Sequence, residues 1–132
     1  MPKVIVAGCR DGFEEGQVWV ALSHELVSDI PELEIVSGGA RGVDTYGESW
    51  AYEANVDVKR FPADWNTHGK KAGFLRNVDM SRYADKLIAF WDGESKGTGH
   101  MIKIMADLKK PVTIYYRDDF VQTEQEDEED DE

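Results

Sequence analysis

Cysteine is almost missing from this chain: Cys9 is the only one in 132 residues. A lone thiol closes no intrachain disulfide, and no Cys/His spacing resembles a zinc site, so a fold without covalent or metal staples is expected. Long apolar runs are missing too. None approaches the roughly 20 residues of a helical membrane span, and Lys3-Val4-Ile5-Val6-Ala7 reads as a strand and not as a signal peptide. A cytoplasmic protein with no membrane partner is therefore expected. Positive charge is scarce, with 15 Lys and Arg against 27 Asp and Glu and a net charge of −12. The deficit is concentrated: residues 118–132 contain no Lys or Arg and are mostly Asp and Glu. Such a block buries too little apolar surface to offset the entropy of ordering, so a disordered acidic tail is expected beyond a single domain at 1–117. Nucleic acid is not an expected partner, because it demands concentrated basic surface and this tail would compete with a polyanion. A partner-binding role for the tail is the alternative that its charge leaves open.

What is present is alternation. Short apolar runs at Val4 to Ala7, Ile35 to Ser37, Val56 to Phe61, Leu87 to Trp91 and Val112 to Tyr115 are interleaved with helical periodicities. That is the pattern of βα units on a mostly parallel sheet, with buried strands. Val18, Trp19, Leu22, Leu26 and Ile30 form the first helical stripe, with Pro31 as its stop. The second, from about Arg41 to Ala54, aligns Val43, Tyr46, Trp50, Ala51 and Ala54. A third starts near Ala72 and carries Leu75 and Val78; a fourth turns Met101, Ile102, Met105 and Leu108 inward before Lys109-Lys110-Pro111.

Two glycine-rich loops carry the functional signal. Ser37-Gly38-Gly39-Ala40-Arg41-Gly42-Val43-Asp44 and Asp92-Gly93-Glu94-Ser95-Lys96-Gly97-Thr98-Gly99 each follow an apolar run and precede a helix. Glycine lets backbone approach a ligand, and the first N–H groups of a helix are unpaired and partly positive, which favours an anion. With strand order 3-2-1-4-5, both loops and the turn Gly8-Cys9-Arg10-Asp11 share the carboxyl edge of the sheet, where open α/β sheets bind ligands. Arg10, Arg41 and Arg76 can each fork phosphate oxygens, at about 1.5–3 kcal/mol per charge-assisted bond. Asp44 and Asn77 are the candidates for ribose, and Ser95 and Thr98 for the helix cap or a phosphate. The polar stretch Asp64 to Gly73, with His68 and Lys70, reads as a lid over the site or as a plain surface excursion, with Trp65 either stacking on a base or packing the loop down. Cys9 is expected to be a small buried residue and not a reactive thiol, although Arg10 beside it would lower its pKa. His24 lies on an exposed helix face, and neither His68 nor His100 has a nucleophile or carboxylate at a recognisable spacing.

Gly8-Cys9-Arg10, Ser37 to Asp44, Ala72-Gly-Phe-Leu-Arg-Asn77 with Met80, and Ala89-Phe-Trp-Asp-Gly93 leading to Gly97-Thr98 together resemble the SLOG superfamily, named for its Smf/DprA and LOG members. Within it the likeness is to small stand-alone YspA-like proteins of phages and bacteria, and it covers almost the whole body. The resemblance implies a Rossmann-like, doubly wound α/β fold with helices on both faces of a five-stranded sheet. It further implies a nucleotide-related ligand between the glycine loops, no required cofactor, and a homodimer or higher homo-oligomer. A nucleoside phosphate, ADP-ribose or an NAD-derived compound is expected to be sensed or sequestered there. LOG-type enzymes cut the N-glycosidic bond of nucleoside monophosphates with an arginine, to which Arg76 corresponds, and a glutamate. Met101 stands in place of that glutamate, and a thioether cannot relay a proton. Nucleotide N-glycosidase activity is then the alternative that requires Asp44, Glu48 or Asp92 as a substitute carboxylate. The DprA-like branch binds single-stranded DNA, and the acidic balance argues against that role.

Overall fold

The computed structural model describes residues 2–118. The expected acidic tail lies, from residue 119 on, outside the described residues.

Five strands form one parallel sheet, β1 (Lys3–Gly8), β2 (Glu34–Ser37), β3 (Asp57–Arg60), β4 (Lys86–Trp91) and β5 (Val112–Tyr116), in the order β3-β2-β1-β4-β5. Among the described residues the helices are α1 (Glu15–Leu26), α2 (Val43–Glu53), the short α3 (Trp65–His68), α4 (Ala72–Tyr83) and α5 (Lys96–Asp107), with a 3-10 turn at Gly69–Lys71 joining α3 to α4. This is the doubly wound α/β architecture expected.

The two-residue period of the strands divides the core. Val4, Val6, Ile35, Ile88 and Phe90 face α1 and α2, where Leu22, Leu26, Val43 and Trp50 meet them. Ile5, Val36, Leu87 and Ala89 point the other way, onto Met80, Met101 and Met105 of α4 and α5. Burial on both faces explains why β1 and β4 are nearly unbroken apolar runs.

Four local expectations need correction. Helix α1 ends at Leu26, short of Pro31; the following turns still press Ile30 against the core. Strand β3 is no buried strand: it is an edge, and all four of its residues are exposed. Leu75 is 39% exposed, and Leu108, the C-terminal cap of α5, is 47% exposed, so neither belongs to the inward stripe of its helix. The stretch from Asp64 to Gly73 is not a loose lid but a capped helical segment, with the Asp64 carboxylate accepting the Thr67 N–H at 3.1 Å.

No helix among the described residues is long and apolar enough to cross a membrane.

Candidate functional site

With β1 and β4 adjacent and helices on opposite faces, a crevice must open beyond their carboxyl ends. A cavity of about 390 Å³ lies there, a size that suits a small ligand. Of the residues singled out from the sequence, Gly8, Cys9, Arg10, Gly38, Ala40, Asp44, Arg76, Asn77, Asp92, Ser95, Gly97 and Thr98 line it. Gly39, Arg41, Gly42, Glu48, Lys70 and Gly93 are not among its walls. Arg41 is exposed and donates to Asp11, itself a lining residue, at 3.2 Å. Glu48 is held by Arg60 and by the Ser37 hydroxyl at 2.6 Å, on the far side of the first glycine loop. Lys70 lies exposed in the 3-10 turn. Ala7, Asp11, Met80 and Met101 also line the cavity, without having been singled out as ligand contacts. Apolar spacing marks Met80 and Met101 as core, and only the turn of the chain shows that the same core closes the floor of the crevice.

The two glycine loops are closed by different bonds. In the first, the Gly39 N–H goes to Ser37 Oγ at 3.1 Å, the Ala40 N–H to Asp44 Oδ2 at 3.2 Å and the Val43 N–H to the Cys9 carbonyl at 3.3 Å. The Asp44 carboxylate thus takes one N–H of the loop ahead of α2. The Asp44 and Thr45 N–H groups in the first turn of α2 have no acceptor among the described residues. At Gly38 a Cβ would lie 2.5 Å from Arg76 Nη1 and 3.1 Å from Asp44 Oδ2, so a side chain there would displace the guanidinium. At Gly42, φ is +81° and a Cβ would strike the Arg10 backbone.

The second loop is built the other way. Asp92 accepts the Glu94 and Ser95 N–H groups at 2.9 and 2.8 Å, bonds that hold its carboxyl below the usual range and set the entry to α5. The Trp91 indole N–H fixes the Ser95 carbonyl at 3.0 Å. The N–H groups of Lys96, Gly97 and Thr98 then have no acceptor among the described residues, and Ser95, Gly97 and Thr98 face the cavity.

A hydrogen-bonded chain ties the loops together through α4. Arg76 Nη1 donates to the Gly38 carbonyl at 2.6 Å and its Nε to Asn77 Oδ1 at 3.1 Å; Asn77 Nδ2 in turn faces the Gly97 carbonyl at 3.3 Å and His100 Nδ1 at 3.2 Å. His100 also stacks on Phe74, with ring centroids 4.1 Å apart, and desolvation holds its pKa below the usual histidine value. Arg76 is half-buried, and that burial, with repulsion from Arg10, weakens its grip on its proton without neutralising it. Two guanidinium groups thus act on one crevice.

Asp44 is buried, 7% exposed, and its pKa is raised to about 6, chiefly by desolvation, against the pull of the Ala40 N–H and the Arg76 charge. Cys9 is 4% exposed, accepts the Asp92 N–H on its sulfur at 3.3 Å, and is raised by burial. It matches the expected buried residue, with no lowering by Arg10. No group of three or more His, Cys, Asp or Glu among the described residues could hold a metal ion.

Comparison with known proteins follows the same lines. The model of the "YspA, cpYpsA-related SLOG family" matches residues 2–68. The Gene 61 protein of Mycobacterium phage D29 is 41% identical over 118 residues, covering 85% of this chain and 94% of that protein. Among solved structures, DNA processing protein A (DprA) of Streptococcus pneumoniae superposes with a TM-score of 0.65 at 16% identity, over 86% of this chain and 50% of that one. DprA of Helicobacter pylori does so with a TM-score of 0.61 at 21% identity, over 86% and 64%. The chain therefore spans about half of one DprA and under two thirds of the other, and shares their fold. The H. pylori protein has a single-stranded DNA binding mode, which overturns the exclusion of nucleic acid argued above from net charge. The physical error is plain: phosphate is held by local donors such as a helix end and nearby arginines, and a charge sum dominated by residues 118–132 does not describe that rim. By sequence match over half its length and by identity to the phage protein, the chain belongs to the YspA, cpYpsA-related SLOG family.

Proposed function

We propose that the crevice binds the phosphate and ribose of a nucleotide, with the phosphate on the N-terminus of α5 and the ribose toward Asp44. The observation that carries this reading is the unshared set of N–H groups at Lys96, Gly97 and Thr98 opening on a cavity that also holds Arg10 and Arg76. Arg10 is exposed and free to close on the phosphate, whereas Arg76 is committed to the Gly38 carbonyl and acts by charge. A nucleoside phosphate, ADP-ribose or an NAD-derived compound fits this chemistry, sensed or sequestered without turnover. A nucleotide of a single strand fits it equally, and the fold shared with DprA supports including it. Of the three substitute carboxylates, Glu48 is outside the cavity and Asp92 is spent on the turn. N-glycosidase chemistry would therefore fall to Asp44.

The test is calorimetry and thermal unfolding of the full chain with phosphate, ribose 5-phosphate, nucleosides, nucleoside monophosphates, ADP-ribose and NAD, with base release followed in parallel. A phosphorylated ligand at a hundredfold excess over Kd should stabilise by about 2.7 kcal/mol, and the unphosphorylated nucleoside should not. In Gly97→Asp that response should vanish. A Cβ at Gly97 meets nothing within 4 Å, and a carboxylate in the first turn suits the helix dipole while repelling phosphate. Equal affinity in wild type and Gly97→Asp, or no response to any phosphorylated compound, refutes the site.

A further inference from the structure

The sequence has four tryptophans. Three are built into the protein by their indole N–H groups: Trp19 donates to Ser49 Oγ at 3.2 Å, Trp50 to Ser23 Oγ at 3.0 Å and Trp91 to the Ser95 carbonyl at 3.0 Å. Trp65 is the exception. Its Nε1–H has no hydrogen-bond partner among the described residues, and 55% of the residue is open to solvent. Its π face and its polar edge are thus both open to a ligand.

Its position is fixed from two directions. On α4, residues 73, 76, 77 and 80 share one helical face, and Arg76, Asn77 and Met80 of that face line the cavity. The N-terminal member is Gly73, and the indole lies against it: a Cβ there would be 3.4 Å from Trp65 Cη2 and 4.0 Å from Arg76 Nη2. A larger residue at 73 would push the ring away. Trp65 is not itself among the residues lining the cavity, but it lies against Gly73, one turn before Arg76 on that face. The sheet order gives the direction, since the connection after β3 lies beside the end of β2, across β1 from the loop after β4. In that order the loop that leads into α5 and the connection that carries the indole lie on opposite sides of β1.

We propose that Trp65 is the base-binding wall of this site: the nucleobase of the ligand stacks on its indole face, making the protein selective for base-bearing nucleotides over bare phosphorylated ribose. This rests on the phosphate-and-ribose reading above. Stacking accepts every base, because each has a π face, and it gains with ring area, so purines bind more tightly than pyrimidines. The base is supplied by a free nucleotide or by a nucleotide of a single strand, and the chemistry at Trp65 is the same.

Calorimetry with AMP, CMP, ribose 5-phosphate and a short oligothymidylate, on wild type, Trp65→Ala and Trp65→Phe, decides it. Circular dichroism confirms that each variant is folded. Wild type should prefer AMP to ribose 5-phosphate by about tenfold or more and AMP to CMP by a smaller factor; Trp65→Ala should bring AMP and ribose 5-phosphate within about twofold, and Trp65→Phe should keep most of the preference. AMP binding should also quench the fluorescence of wild type more than that of Trp65→Phe. The arm that weakens in Trp65→Ala, AMP or oligothymidylate, identifies the source of the base. Ribose 5-phosphate binding with an AMP preference untouched by Trp65→Ala overturns this proposal and leaves the phosphate site standing. Wild type that binds none of the four overturns both.

Discussion

At neutral pH Asp44 must hold a negative charge in a place that disfavours it. Its pKa rises from 3.8 to about 6 because burial removes water from the carboxylate faster than the Ala40 N–H and Arg76 replace it. The folded protein binds this proton more tightly than the unfolded chain, so between pH 4 and 6 the native state carries more of it and stability falls as pH rises, by about 3 kcal/mol in full. Lowering the pH from 7 to 5 should thus favour wild type over Asp44→Asn. The melting temperature of wild type minus that of the variant becomes more positive at pH 5; a difference independent of pH would show that Asp44 titrates normally. Side-chain roles were only half legible at this scale. Arg10 and Arg76 reach the cavity and Arg41 does not, although all three stand close to a strand end or helix start in the sequence. Direction decides, and a guanidinium on a long stem goes to the acceptor the fold offers: the Gly38 carbonyl for Arg76, Asp11 for Arg41.

Among the elements, α4 and α5 position the site and are pinned from outside it. Lys110 Nζ donates to the carbonyls of Ser81 at 2.7 Å, Ala84 at 2.8 Å and Arg82 at 3.3 Å, closing the C-terminal end of α4 where carbonyls lack partners and the helix dipole is negative. Lys110→Met should cost about 1–3 kcal/mol and lower the melting temperature by several degrees, leaving nucleotide affinity intact. A loss of affinity without loss of stability would contradict this structural role. Lys110 reads in sequence as part of a helix-ending Lys-Lys-Pro, and its three carbonyls are 26 to 29 residues away. The element boundaries show the same division. Val4 to Ala7 and Leu87 to Trp91 are strands by composition and are strands in the fold. Val56 to Phe61 mixes Lys59 and Arg60 with apolar residues because β3 is an edge that exposes its side chains.

For the molecule as a whole, the core is two layers sharing one sheet, and Phe90 belongs to the layer under α1 and α2: fully buried, stacked on Tyr115 at 5.2 Å and edge-on to Phe13 at 5.7 Å. Phe90→Ala should lose about 3–5 kcal/mol, much of a typical domain's stability, and urea unfolding should show a lower midpoint with an unchanged slope. A change of slope would instead indicate an altered folded or unfolded state. The sequence by itself determined the class of this protein. Two periodicities, of two and of about 3.6 residues, assign strands and helices, and glycines before two helices mark loops that line the crevice, because burial and backbone sterics act on local sequence. Tertiary structure alone decided how each glycine loop uses its donors. Asp44 folds back onto Ala40 ahead of the first helix while Asp92 shapes the turn before the second, so equivalent sequence patterns are closed by different bonds. It also decided that Trp65 flanks Arg76, across a glycine eight residues further along the chain. A hydrogen bond is spent once, and which partner takes it depends on distances that only the folded chain sets.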